Sequence, residues 1–280
     1  MESATIVLTL FASMLGAAIG SFLNVVGWRV PRGESIFSPS SRCTSCGKAI
    51  EWFDNIPVIS WVILKGKCRS CGAGFSFRYA LVELVTALLF AGAMLRNGPD
   101  LLFVRDAVFI SLLVCAVLTD LDHWIILDTV SIGGTIAGIA FSLVPGGIGL
   151  LTSTLTAASA FTLFLIIRIV STIILKKKAI STTAPEGHEE EEDEFQGGMG
   201  WGDIKLAAMI GAFLGPTSTI VALFSAFVAG AVFGVIVLAR GRDRSVPVPF
   251  GPFMALGAVL ALFAGPVIWG LYWQTGKRSK

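Results

Sequence analysis

The chain has 280 residues, of which 54 % are hydrophobic and 14 % charged, with 31 glycines. Counting glycine, the apolar share is about 65 %, against 45–50 % in an ordinary soluble domain, and the mean hydropathy is +0.80. These figures exclude a water-soluble enzyme, a disordered chain and a disulfide-framed secreted domain, and they describe an all-α polytopic membrane protein with room for about eight spans of ~20 residues.

In chain order, the first uncharged run, 4–28, predicts a transmembrane helix. Glu2 precedes it with no Lys or Arg, and the run is too long for the h-region of a cleavable signal, so no signal peptide is expected. Residues 29–78 differ in kind, with turn formers, eight Lys/Arg and four cysteines, and they read as a small folded domain. Apolar runs at 79–95, interrupted by Glu83, and at 101–119, with Arg105 and Asp106 near its start, predict the next two spans. An acidic block from Thr119 to Asp128 follows, then spans at 129–144 and 150–175, the latter holding Arg168. Residues 179–197 are acidic and of low complexity, and read as a disordered loop, because such a stretch buries too little apolar surface to offset its ordering entropy. A glycine-rich block, 198–205, leads into a short apolar run at 204–215 that stops at Pro216, and spans at 218–239 and 250–273 complete the eight.

The formal net charge of +2 conceals an uneven distribution. Seven of the 19 acids fall in 186–194, so the rest of the chain is strongly basic. In a membrane protein such an excess reports orientation, and no aromatic-interleaved basic stripe marks a nucleic-acid partner. The basic segment 29–78, Lys176 to Lys178, and Arg240, Arg242 and Arg244 all fall on one side of an eight-span topology, which places that side in the cytoplasm. Lys277, Arg278 and Lys280 run mildly against this rule. The acidic block and Asp203 then lie at the cytoplasmic edge.

Cys43-Thr-Ser-Cys46-Gly47 and Cys68-Arg-Ser-Cys71-Gly72 are two C-x2-C knuckles with 21 residues between them. Paired thiolates at this spacing suit tetrahedral Zn²⁺, and four thiolates leave no open position, so the expected role is structural. Redox disulfides are the competing reading, which a cytoplasmic location disfavours. Cys115 lies within a span and reads as packing.

Carboxylates near a bilayer are costly and are candidates for function. Asp120, Asp122 and Asp128 form one cluster, and Gly200-Trp201-Gly202-Asp203-Ile204-Lys205 the other. Two aspartates from separate helices can hold one water, one removing its proton while the other protonates a peptide oxygen or nitrogen. Gly200 and Gly202 let the backbone approach a peptide or a neighbouring helix. The bland alternatives are a helix cap for Asp203 and a solvated, capped loop for the other three.

At this point the sequence resembles the type IV prepilin peptidase family, the bifunctional prepilin leader peptidases/N-methyltransferases, over nearly its whole length. The ordered blocks that carry the likeness are Gly20-Ser21-Phe22-Leu23-Asn24, Arg29-Val30-Pro31, Ser38-Pro39-Ser40 with the four cysteines, Asp54-Asn55-Ile56-Pro57-Val58-Ile59-Ser60, Gly66-Lys67-Cys68-Arg69 and Arg78-Tyr79-Ala80-Leu81-Val82-Glu83. The resemblance implies that Asp120 and Asp203 are catalytic and that Asp122, Asp128, Gly200, Gly202 and Lys205 support them. It implies three regions: a first helix at 1–28, a cytoplasmic zinc-ribbon-like domain with four cysteine ligands at 29–78, and a membrane-embedded aspartyl peptidase core at 79–280. It further implies leader cleavage of prepilin or pseudopilin substrates at the inner-membrane edge and N-methylation from S-adenosylmethionine, with Arg78, Glu83 and Lys205 as candidates for the second activity. Leu127 stands where the family usually has proline. A different G-x-G-D intramembrane protease is the runner-up, but no tyrosine precedes an aspartate here. A transporter or zinc-stabilised scaffold is the non-enzyme alternative, disfavoured because the carboxylates flank spans instead of breaking them at mid-depth.

Overall fold

The computed structural model describes residues 3–181, 199–240 and 248–278. The acidic loop lies almost wholly outside the described residues, as do Arg242 and Arg244. Eight helices account for most of the described residues: α1 Ser3–Arg29, α2 Ile59–Ile63, α3 Phe77–Asn97, α4 Leu101–His123, α5 Asp128–Phe141, α6 Leu150–Ser181, α7 Trp201–Ala239 and α8 Gly251–Arg278. Among the described residues the only β-structure is two isolated bridges, Arg42 to Ala49 and Lys67 to Gly74.

All eight apolar runs seen in the sequence are helical. Among the described residues six helices are each long and apolar enough to cross a membrane, which makes this a multi-pass membrane protein. The run at 129–144 becomes α5, a short apolar helix, and the runs at 204–215 and 218–239 are the two arms of α7. The arms meet at Gly215, whose φ of 70° and ψ of 177° are open in practice only to glycine, and Pro216 follows because its missing N–H suits a break.

Contacts divide the chain into two compact units, Met1–Ile125 and Ile126–Lys280. In the first, α1 packs on α3 and α4. Ala12, Gly16 and Gly20 form a small-residue stripe at four-residue spacing, and a Cβ at Gly16 would meet the Thr86 carbonyl oxygen at 2.7 Å. Without side chains in the way the backbones approach closely, which is how helices associate where lipid removes the hydrophobic drive. The opposite face of α1, with Val7, Phe11 and Met14, is exposed and suits lipid. Ser76 caps α3 by accepting from the Arg78 N–H, and α4 ends on Trp124 in a left-handed conformation, its N–H returning to the Asp120 carbonyl at 3.0 Å.

In the second unit α7 is the hub, packed by α5, α6 and α8. Its first arm is buried on nearly every side: Ile204 and the run from Leu206 to Phe213 are all inaccessible or nearly so. The short sixth run is therefore a core helix, which explains why it is apolar all round. Ser153 of α6 donates to the Ala212 carbonyl at 2.8 Å, satisfying a hydroxyl that burial would otherwise penalise.

Candidate functional site: a four-cysteine centre and two aspartate-bearing helix ends

The cysteine knuckles are two copies of one turn. In each, the glycine after the second cysteine takes a left-handed φ, 71° at Gly47 and 73° at Gly72, and donates its N–H to the carbonyl of the first cysteine at 2.9 Å. Nothing lies within 4 Å of a Cβ built at either position, so glycine is required by the backbone and not by space. The ligand atoms of Cys43, Cys46, Cys68 and Cys71 lie within 4.8 Å of one another, and the Sγ atoms of Cys43 and Cys71 are 3.7 Å apart. A tetrahedral zinc with ~2.3 Å bonds to sulfur needs sulfurs about 3.8 Å apart, so the donor set fits that ion. Amides of Cys46 and Ser45, helped by the neighbouring thiols, hold the Cys43 thiol down at about 6. For Cys71 the Ala73 amide pulls the other way, but burial and three adjacent thiols outweigh it and push the group up to about 12. Four such groups cannot all ionise without a cation among them, which is what zinc supplies.

The second knuckle is tied down by charge. Arg69 donates from Nε and Nη2 to both oxygens of Asp54, at 2.8 and 2.6 Å. That guanidinium holds Asp54 below the usual carboxylate range. Asp54 sits in the 3₁₀ turn Trp52–Asn55, and Ser60 bridges from this turn to α2 by donating to the Phe53 carbonyl and accepting from the Ile56 N–H. Next comes a γ-turn of the rarer, strained hand: Val58 has φ 62° and ψ −50°, and Ile59 N–H returns to Pro57 O at 2.6 Å. A β-branched residue is strained here, and the strain turns the Val58 N–H onto Oε2 of Glu83 at 2.7 Å. Glu83 thus tethers the Cys segment to α3. The contact comes from a loop amide, not from a neighbouring helix.

The aspartates fall at helix ends. Asp120 is buried in the last turn of α4, beside a fully buried Thr119. Asp122, two residues on, forms an ion pair with Arg78 of α3. Both belong to the first unit. In the second unit Asp128 opens α5 and pairs with Lys205 of α7, Nζ to Oδ1 2.5 Å. Asp203 lies in the first turn of α7; the cap position belongs to Gly200, so the cap reading of Asp203 does not hold. A Cβ on Gly200 would stand 3.4 Å from Oδ2 of Asp203, and one on Gly202 only 2.9 Å from Cβ of Ile126. Gly202 therefore serves close approach to the chain preceding α5, whereas a side chain at Gly200 would make only ordinary contact with the carboxylate. Leu127, in the family's proline position, has φ −62° and ψ 134°, the conformation proline would impose.

One residue acquires a role that its sequence position did not suggest. Arg168, in the middle of α6, donates from Nη1 to the Met199 carbonyl at 2.6 Å, and its guanidinium lies 4.7 Å from the centre of the Trp201 ring. It clamps the two residues that flank Gly200, immediately before Asp203. A lone arginine inside an apolar run was the available signal, without any indication of its partner.

Two family profiles match the sequence: the bacterial peptidase A24 N-terminal domain over residues 14–97, and the type IV leader peptidase family over residues 107–235. Relatives named prepilin leader peptidase/N-methyltransferase include one from Bacillus subtilis (strain 168), 33 % identical over 92 % of this chain and 95 % of the relative. The chain belongs to the type IV leader peptidase family. Another relative of that name, from Myxococcus xanthus (strain DK1622), is 38 % identical over 83 % of this chain, and the match spans 64 % of that longer protein. One from Aeromonas salmonicida (strain A449) is 31 % identical over 92 % of this chain and 91 % of its own length. No solved structure gives a significant match. The leader peptidase match at 107–235 takes in Asp120, Asp122, Asp128 and Asp203, and the N-terminal match takes in all four cysteines and Glu83.

Proposed function

We propose that this protein is a membrane aspartyl endopeptidase that removes the leader of prepilin-like substrates and then N-methylates the new N-terminus. The observation that carries the reading is the placement of two aspartates, Asp120 and Asp203, at the ends of apolar helices within the region matched by the leader peptidase family. One carboxylate takes a proton from a bound water, whose oxygen attacks the peptide carbonyl carbon. The other gives a proton to the carbonyl oxygen and, as the tetrahedral adduct collapses, a proton reaches the departing nitrogen. Asp122 and Asp128 are not free to join this exchange, since Arg78 and Lys205 hold them. They position the helix ends instead: Lys205 ties the start of α7 to the start of α5, and Arg168 fixes the approach to Asp203. Gly200 and Gly202 keep that approach clear of side chains.

Zn²⁺ at the four cysteines is structural in this reading and holds the Cys segment folded. S-adenosylmethionine supplies an electrophilic methyl group to the amine that cleavage exposes. In an eight-span topology the basic excess at 29–78 and around Arg240 supports a cytoplasmic position for the Cys segment and both aspartates, at the bacterial inner membrane, where a polar leader emerges from the bilayer. The partners are a prepilin or pseudopilin and the lipid bilayer, with no nucleic acid. The test uses purified, zinc-loaded protein in detergent with a prepilin carrying its leader and first helix, reading product mass with and without S-adenosylmethionine. Cleavage at the leader junction plus one added methyl mass supports both activities. Cleavage without the mass gain removes the methyltransferase, and cleavage within the apolar helix turns the reading toward an intramembrane protease of another kind.

A further inference from the structure

The first unit contains an open cavity of ≈ 1010 Å³ between the Cys segment and the adjoining ends of α1 and α3. It is not used by the aspartate chemistry. Its size is at the upper end of the range for small-molecule and cofactor sites. Its walls combine chemistries that a membrane-surface crevice has no structural reason to collect. Trp28, Trp61 and Tyr79 line it with aromatic surface, and Glu83 brings a buried carboxylate. A buried carboxylate costs free energy unless partners compensate it, and here a strained γ-turn holds one of its oxygens.

A second, smaller cavity of ≈ 130 Å³ adjoins the first, sharing Asn24, Trp28, Ser76 and Tyr79 with it. Arg78 and Asp122 also line it. Arg78 gives Nη1 to Asp122, but its Nη2 is buried and makes no hydrogen bond. A buried guanidinium nitrogen without an acceptor is costly, and a planar fork with one tooth already on a carboxylate suits a second carboxylate or carbonyl.

We propose that the joined cavities bind the methyl donor, with the buried Glu83 carboxylate facing its positive charge and the orphaned Nη2 of Arg78 taking its carboxylate. The inference rests on the methyltransferase reading above and names the site for it. S-adenosylmethionine carries an adenine ring, a sulfonium cation and an amino-acid carboxylate. The cavities offer an aromatic wall, a buried anion and a guanidinium with one nitrogen left without an acceptor. Base–aromatic contact and charge-assisted hydrogen bonds are the expected sources of affinity. The smaller cavity ends at Asp122, two residues from Asp120 on the same helix, so one unit would carry both the donor and one of the two proposed catalytic carboxylates. Asp54, also in the wall, is committed to Arg69 and takes no part.

The experiment is equilibrium dialysis of the zinc-loaded full chain in detergent against labelled S-adenosylmethionine and, separately, S-adenosylhomocysteine, whose thioether lacks the sulfonium charge while the amino-acid end is unchanged. Glu83→Gln keeps an oxygen for the Val58 N–H and removes only the charge. It should weaken the sulfonium ligand by about tenfold or more and the neutral one by about twofold or less. Arg78→Gln should weaken both by about tenfold, since both carry the carboxylate. Zinc content and melting temperature report whether the variants fold. Wild type photolabelled with an 8-azidoadenosyl donor gives an answer that needs no variant: the label should map to residues 21–83. Equal losses for the two ligands in Glu83→Gln, or a label confined to 126–278, would overturn the site. If the donor labels only 126–278 and the product is still methylated, methyl transfer stands and this cavity does not serve it. If wild type binds no donor, both readings fall together.

Discussion

The first unit and the second place polar groups on apolar helices by different means. In the first, they are gathered in an excursion from the helices, where four clustered thiols able to hold a metal, an Asp54–Arg69 pair and the Val58–Glu83 tether lie in one segment. In the second, among the described residues, isolated polar contacts fix particular points: Arg168 on the Met199 carbonyl, Lys205 on Asp128, Ser153 on the Ala212 carbonyl. The rest is close packing around α7. A network of the first kind leaves cavities and depends on a metal. One of the second kind depends on small residues and isolated clamps.

If that contrast is right, removing the metal should be the most damaging change in the first unit and should spare the second. Chelation of Zn²⁺, or Cys43→Ser, should abolish folding of the Cys segment, because small metal domains fold only with their metal. Limited proteolysis should then cut within 33–76 while fragments of 126–278 persist. Equal cleavage throughout would break the comparison. In the second unit the matching change is Arg168→Ala. It should lower kcat for leader cleavage by about tenfold or more with little effect on KM, because a misplaced catalytic group costs rate first. Arg168→Lys should restore part of it, and zinc content should not move. A fall in KM and kcat together with a lower melting temperature would make Arg168 merely structural.

A smaller effect sharpens the picture of the charge latch. Asp54 titrates below its ordinary value of 3.8 because Arg69 donates to it. A depressed carboxylate contributes stability above its unfolded value and loses it as pH falls through its folded value. Asp54→Asn should therefore retain zinc less well than wild type at pH 5 and above, and the two should converge at the acid end of a zinc-release titration. A constant difference at all pH values would remove the latch. The smallest effect belongs to Leu127→Pro. Its φ of −62° already suits proline, so the change should be neutral or stabilise by up to about 1 kcal/mol, read from the melting temperature.

Local pattern made much of this structure readable. The apolar runs located every long helix among the described residues, the C-x2-C spacing with its glycines located the four-cysteine cluster, and Gly200 and Gly202 marked where α7 begins. Interactions remote in sequence were not readable. Nothing in the sequence around Glu83 says that an amide from Val58 would meet it, because the γ-turn that delivers the amide is strained and propensity argues against it. The partner of Arg168 lies 31 positions away and that of Lys205 77 away, beyond any periodicity. The sixth and seventh runs read as separate spans because Pro216 signals a stop. The structure places the break one residue earlier, at Gly215, whose φ of 70° and ψ of 177° separate the two arms. Arg78 and Glu83 could be singled out as polar groups beside a span, but only the cavities give them a shared purpose.

The central claim is that Asp120 and Asp203 carry the cleavage. Its most direct test compares leader-cleavage rates of wild type, Asp120→Asn, Asp203→Asn and the double variant, all zinc-loaded and checked for equal melting temperature. Groups that act as one unit are not additive, so each single variant should lose about 10²–10⁴ in rate and the double variant little more. Retained cleavage in either single variant, or a double-variant loss equal to the product of the two single losses, would contradict the account.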